Sequence, residues 1–317
     1  MVLNSTGWDS VDDVQTFLAT ARAGTALPLP GSGDTFQRFR ALRQMSAKNP
    51  SVGRLLEAHC DAQAIFTDAN VVIPANSALA VWASSSISRV TAQTTRHGLL
   101  LNGTQNFCGG AGIIDGALMT VSCKEGERLV FVRMNQEGVT VDLSTWKTTA
   151  FSDASIGTVR LTNVEIADSE LVGHPHFYSA RPGFWWGAVG VAACWAGITD
   201  RVIDMQRIRS SRCDEIAAVS LGLQSALCWG IDASLDVAAR TIDGRSSESA
   251  RVHALSARYQ IAVAAGTILR SVENEAGPGA LAFNPDWVQA VTELRMALGQ
   301  HHGDRDLREL GNLILCT

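Results

Sequence analysis

Near the C-terminal end, His301 and His302 stand side by side and are followed directly by Gly303 and Asp304. Imidazole gains and loses a proton near neutral pH, so this pair suits a general base and its neighbour. A surface pair ahead of a helix that opens on the acid Asp304 accounts for the same residues, and both readings stand. Arg207, Arg209 and Arg212 gather where a helical stretch ends. Their planar guanidinium groups suit bidentate bonds to phosphate, yet cations also belong at a helix C-terminus. Asp232, Asp236 and Asp243 resemble a metal cluster only superficially and read as a solvated helix face. Trp185-Trp186 either lines a ligand pocket or opens an apolar helix as core and interface. His59, on an apolar helix face, reads as a core histidine, and the lone Cys108 as a small buried hydrophobe.

The composition bounds what these groups can serve. A chain of 317 residues, 46% hydrophobic, can bury a large core, and its length suggests about two domains. The net charge of −5, with no Lys/Arg cluster, leaves no electrostatic footprint for nucleic acid. Only 18% of residues are charged, which suggests that some faces are covered by another subunit. The polar, acidic start is unlike a secretory signal, and the weakly polar run from Gly183 to Ile198 is shorter than a bilayer span. Seven scattered Cys residues, with no CxxC pair and no zinc-type spacing, fit a reduced cytoplasmic protein without structural metal and without membrane contact.

Three stretches must position the reactive groups. Residues 1–80 read as helical: Phe36, Phe39, Leu42 and Met45 recur at helical spacing until Pro50 interrupts. Val52, Leu55, Leu56, His59 and Cys60 then continue on one face of a second helix, and residues 27–33 form a loop. Residues 81–177 alternate in the manner of strands. Arg96-His97-Gly98 supplies a turn, Asn102-Gly103 is a strong hairpin dipeptide, and further strands fall near 117–123, 128–134, 138–142 and 157–161. A small antiparallel barrel or sandwich follows from that spacing. Residues 178–317 are helical again, with helices over 189–208, 217–242, 249–273, 286–298 and 304–315, the third ended by a Gly277-Pro278-Gly279 loop. The fold class is therefore α+β, mostly α, with a C-terminal four-helix bundle.

Several motifs carry a family likeness. The run Leu101-Asn102-Gly103-Thr104-Gln105-Asn106-Phe107-Cys108-Gly109-Gly110 resembles the β-domain hairpin of the acyl-CoA dehydrogenase superfamily. Residues 155–166 are similar to the strand that closes that domain, and residues 52–59 to an N-terminal helix of the bacterial branch. The tail from Gln300 to Gly311 is similar to a "QHH…RDL…LG" ending of that branch. The resemblance runs from about residue 50 to the end. It implies FAD lying between the β domain and the helical bundle, with Phe107, Cys108 and Gly109 facing the flavin. It also implies that Trp82 and Ser84 lie in a loop touching flavin and substrate, and that Arg209 or Arg212 binds phosphate. Gly277, Gly279 and Asp304 fall in the segments that meet a cofactor, in a homodimer or homotetramer.

Four departures mark the chain. The Glu-Gly pair that carries the base in many members corresponds here to His302-Gly303, so Asp304 or Glu275 would need to lie within reach to supply a carboxylate. Gly109 lacks the hairpin hydroxyl, the Trp82–Arg89 loop differs, and the N-terminal helical domain is short. The resemblance implies a FAD-dependent oxidoreductase that takes a proton from an acyl thioester or similar bulky carbonyl substrate. His302 is then the base candidate, with His301 beside it. A member that has lost catalysis and serves as a partner subunit, or a flavin monooxygenase, fits the departures.

Overall fold

Contacts sort the chain of this computed structural model into two units, one of Met1–Pro30 with Arg54–Phe184 and one of Gly31–Gly53 with Trp185–Thr317. The structure describes residues 8, 10–24, 27–84, 89–209, 215–244 and 247–315. Helices α1 (Val14–Arg22), α2 (Thr35–Lys48) and α3 (Pro50–Asp68) come first. Pro50 does interrupt the helical pattern, and it does so as the first residue of α3, where its missing N–H costs nothing. The Asn49 side chain caps that start by accepting from Val52 N at 3.2 Å.

The first unit is built on strands β1 (Leu79–Trp82), β2 (Arg89–Thr95), β3 (Gly98–Cys108), β4 (Gly116–Cys123), β5 (Gly126–Arg133), β6 (Val139–Asp142), β7 (Gly157–Ala167) and β8 (Leu171–Val172). They form one sheet in the order β6-β7-β3-β2-β4-β5-β8, with β1 also on β4. The sheet is mixed rather than wholly antiparallel, because β1 and β2 both pair parallel to β4. The hairpin turn between β2 and β3 is at Arg96-His97, where Thr95 faces Gly98. Asn102-Gly103 is therefore not a turn. It lies inside β3 opposite a bulge in β7, where the register steps from Leu101↔Val164 to Gly103↔Leu161.

Hydrophobic phase explains that bulge. Val159 and Leu161 are buried on alternate residues, then Thr162 and Asn163 are both exposed, and Val164 and Ile166 resume the buried face one residue late. Without the extra residue, Val164 and Ile166 would turn to the opposite face. Asn163 adopts a left-handed φ of 52°. Asn102 clamps it, its Oδ1 accepting from Asn163 N at 2.9 Å and its Nδ2 donating to Asn163 Oδ1 at 3.1 Å.

One face of α3 covers the sheet: Ala62, Ile65 and Phe66 are buried with Leu79, Leu118, Leu129, Phe131 and Val172. A short helix α4 (Phe177–Ala180) follows the last strand. Arg181 after it is buried and donates to Asp61 at 3.0 Å and Asp68 at 2.9 Å, so the chain is tied back to α3 by a pair of carboxylates.

The second unit holds α2, α5 (Gly183–Arg209, from Trp185 on), α6 (Glu215–Asp243), α7 (Ser247–Phe283), α8 (Pro285–Leu298) and α9 (Asp304–Leu315). α7 does not end before a Gly277-Pro278-Gly279 loop. It kinks at Gly277 (φ 65°, ψ −179°) and continues, because Pro278 can open a new helical run. Glycines let α2 and α5 approach closely: a side chain at Gly197 would meet the Arg43 carbonyl oxygen at 2.1 Å. Arg43 then reaches Asp200 through two bonds of 2.6 and 3.0 Å and also pairs with Asp232. Asp236 pairs with Arg240, and Asp243 accepts from the Thr35 N–H and hydroxyl. These three aspartates are each spent on a cation or a cap, and no metal-type cluster exists among the described residues. No described helix is long and apolar enough to cross a membrane.

His59 is the core histidine of the strand unit. It lies 6.4 Å from the Trp8 ring and 6.2 Å from the Phe17 ring, and its Nδ1 accepts from Leu79 N at 3.2 Å. Burial pushes its pKa down to about 4, so the unfolded chain binds its proton first as pH falls. Stability supplied by neutral His59 is complete above the unfolded value of about 6.5 and is lost as pH drops from there toward 4, by up to about 3 kcal/mol. Urea unfolding measured across that interval is expected to show this slope. His59→Gln, which keeps an acceptor without a titrating group, is expected to flatten it.

Candidate functional site

A second register slip, at the far end of β3, shapes the strand unit's reactive edge. Pairing with β7 steps from Gln105↔Val159 to Cys108↔Gly157, so Asn106 and Phe107 face the single residue Thr158. Gln105 and Cys108 both point inward as a result, and Phe107 between them points out. Phe107 sits at a φ of 58°, a left-handed conformation that costs a bulky residue of order 1–3 kcal/mol. Its ring is 52% exposed and meets Trp146 edge-on with centroids 6.2 Å apart. Trp146 is itself anchored, its Nε1 donating to the Ala150 carbonyl at 2.8 Å.

The neighbouring backbone is held by side chains from β1 and β3. Trp82 is buried and donates through Nε1 to the Gly109 carbonyl at 3.0 Å. Gln105, also buried, donates to the Ser84 carbonyl at 2.9 Å, and Thr158 donates to Asn106 Oδ1 at 2.8 Å. A side chain added at Gly109 would meet nothing within 4 Å, so the turn beside Phe107 is open. The structure thus brings Trp82, Ser84, Phe107, Cys108 and Gly109 together around one ledge. Cys108 contributes no surface: its thiol is buried, donates to the Gln105 carbonyl at 3.3 Å, and is pushed up to about 12 by desolvation. Trp146 carries no motif in the sequence, and its one local signal is an aromatic that follows a polar strand end.

In the helical unit, the two histidines part company. His302 is exposed, whereas His301 is half-buried and its Nε2 is a buried nitrogen with no partner. The His301 ring lies 6.2 Å from Trp195 of α5 and 5.8 Å from Tyr259 of α7. Arg258 stacks over Trp195 at 4.8 Å and donates to the Ala188 carbonyl at 2.6 Å. Desolvation and the Arg258 charge hold His301 below the ordinary imidazole range, against the opposing pull of Asp306. His302 is lowered by desolvation and by Arg305. The carboxylate acting on both rings is thus the buried Asp306, not the exposed Asp304 that opens α9. Glu275 accepts from the Ser220 hydroxyl at 3.0 Å.

The remaining candidates lie apart within this unit. Arg209 ends α5 with its side chain outside the described residues, and Arg212 and residues 85–88 lie outside them altogether. Arg207 is exposed and 3.9 Å from Asp204. Gly277 and Gly279 stand at the α7 kink with open space where a side chain would be. Trp186 packs against Gly31, and Trp185 lies beneath Arg251 with 5.1 Å to the ring centre.

No family model and no curated protein matches the sequence. Solved structures do match the fold. Dibenzothiophene monooxygenase TdsC from Paenibacillus sp. A11-2 aligns with a TM-score of 0.79 at 17% identity, over 95% of this chain and 88% of that one. Methanesulfinate monooxygenase MsuC from Pseudomonas fluorescens aligns at 0.78 and 14% identity, over 95% and 88%. The ChsE4-ChsE5 complex from Mycobacterium tuberculosis gives 0.74 and 19%, over 98% and 91%. TdsC has also been solved with FMN and indole. The chain has the acyl-CoA dehydrogenase-like fold, mostly helical with one mixed sheet.

The left-handed Phe107 carries a direct test. Glycine normally costs about 0.5–1 kcal/mol relative to alanine in a strand, but at a left-handed position the order reverses. Chemical denaturation of Phe107→Gly and Phe107→Ala is expected to find the glycine variant more stable by about 1 kcal/mol.

Proposed function

We propose that this chain is a flavin-dependent oxidoreductase, and that its chemistry is oxygen-dependent monooxygenation rather than dehydrogenation of an acyl thioester. The observation that carries the flavin reading is the ledge at Phe107. A half-exposed aromatic ring held in a costly conformation, a second ring edge-on to it and a side-chain-free Gly109 suit the flat face of an isoalloxazine. When bound, a flavin supplies two-electron redox chemistry and, once reduced, reaction with dioxygen. Phe107 and Gly109 would present the face, while Trp82 and Gln105 fix the backbone that carries them. FMN bound in the similarly folded TdsC supports a flavin without favouring FAD.

The choice between the two chemistries rests on the missing carboxylate. In the family that the chain resembles, the base that takes the proton beside a thioester carbonyl is a carboxylate, and here His302-Gly303 stands where its Glu-Gly pair would be. Glu275 is engaged by Ser220, Asp304 is exposed, and Asp306 is buried. Neutral His301, with an unpartnered Nε2, is suited instead to hold or accept one proton at that atom. His301 replaces His302 as the favoured acid–base group, because His302 is exposed. The monooxygenases TdsC and MsuC share the fold and lend this reading further support. Exposed apolar residues along α6 and α7, Val219, Trp229, Val263 and Phe283 among them, fit a homodimeric or homotetrameric assembly.

The test supplies chemically reduced flavin and oxygen to the purified chain with a panel of aromatic and organosulfur substrates, and follows oxygen incorporation by mass spectrometry. An oxygenated product that falls about 100-fold or more in His301→Ala is expected, a usual size for losing a general acid or base. Because His301 is held low, activity should persist into mildly acidic solution and fall at a pH below about 6.5. Anaerobic reduction of an added acceptor by acyl-CoA, with no oxygenated product from any substrate, would reverse the choice.

A further inference from the structure

Arg38 is among the largest fully buried side chains of the protein, at 1% exposure. Its Nε, Nη1 and Nη2 all lack a hydrogen-bond partner. The guanidinium packs against α5 at Gly190, where any side chain would come within 2.6 Å of Nη1 and 2.9 Å of Nη2. One turn earlier on the same face of α5 stands Trp186, whose Nε1 is likewise buried without a partner. The Trp186 ring is pressed against Gly31, which leaves no room for a side chain there. Asp243, the carboxylate that reaches the start of α2, is occupied by the Thr35 N–H and hydroxyl.

A buried cation without an acceptor is among the costliest arrangements a protein interior can hold. Here it packs on a glycine where a side chain would displace the guanidinium, and a second orphaned donor stands one helical turn away on the same helix. All these groups donate, and none accepts. We propose that Arg38 and Trp186 form a buried oxyanion site in the helical unit, taking a carboxylate, phosphate or similar group through the planar fork of Arg38 and the indole N–H. Arginine suits this task because its fork matches two oxygens at once. The ligand is either a free inorganic anion or the acid end of an organic molecule. The site goes beyond the flavin reading and stands without it.

The experiment measures thermal unfolding of the purified chain against sodium phosphate and sodium benzoate, with sodium chloride at matched ionic strength. The unfolding temperature is expected to climb with phosphate, benzoate or both, beyond the chloride control, since a ligand of the folded state stabilises by mass action. A response to both anions identifies a free-anion site, and a response to benzoate alone identifies an organic acid. Arg38→Met is expected to fold, to be as stable as wild type or more so without anion, and to bind about tenfold to 100-fold more weakly. Trp186→Phe, which removes the indole N–H together with one of the two fused rings, is expected to weaken binding less. An unfolding temperature indifferent to both anions, or a response unchanged in Arg38→Met, overturns the proposal.

Discussion

Between Gln105 and Cys108, β3 carries two residues opposite the single Thr158 of β7, and the exposed face of the strand unit depends on that mismatch. In an unbroken strand Phe107 would follow Gln105 into the core two residues later. The bulge sends Cys108 inward instead and leaves an aromatic ring on the surface at a φ that only glycine adopts freely. The strain is borne by a well-tied surrounding: Trp82 on the Gly109 carbonyl, Gln105 on the Ser84 carbonyl, Thr158 on Asn106. The other bulge, at Asn163, has a different role. It keeps Val164 and Ile166 in the core after the strand has turned, and Asn102 satisfies the backbone it exposes.

The helical unit stores its chemistry differently. Its helices approach through glycines, and the polar groups they bury are of two kinds. Arg43 and Asp243 are fully engaged, and they fasten α2 to α5 and α6. Arg38, Trp186 Nε1 and His301 Nε2 are not engaged, although each is buried where an unmet donor or acceptor is expensive. His301 gains its low proton affinity from the same burial, with the Arg258 charge acting in the same sense.

Much of the architecture was legible in the sequence because periodicity records burial. The helical, stranded and helical stretches follow from apolar spacing, and the helices near 189–208, 217–242 and 304–315 lie within α5, α6 and α9. Turn chemistry misled where it competed with phase. Asn102-Gly103 has the composition of a hairpin, but Val159, Leu161, Val164 and Ile166 carry a one-residue slip that requires a bulge there. The pair Phe107–Cys108 was found through a likeness to a known hairpin, while the outward turn of Phe107 was encoded only in the spacing of Gln105 and Cys108. The parallel pairing of β1 and β2 on β4 has no local signal at all. Arg38 was equally hidden. A cation within a helix reads as surface, and its burial is decided by Gly190, far along the chain.

A flavin seated on the ledge around Phe107 would leave a direct optical signature. The most direct measurement is the visible absorption spectrum of the purified chain, recorded as isolated and again after incubation with excess FMN or FAD and removal of the free cofactor. Flavin bands approaching one equivalent per chain are expected with at least one of the two cofactors, with a marked loss of retained flavin in Phe107→Ala. A chain that stays colourless after both incubations would contradict flavin binding at this ledge.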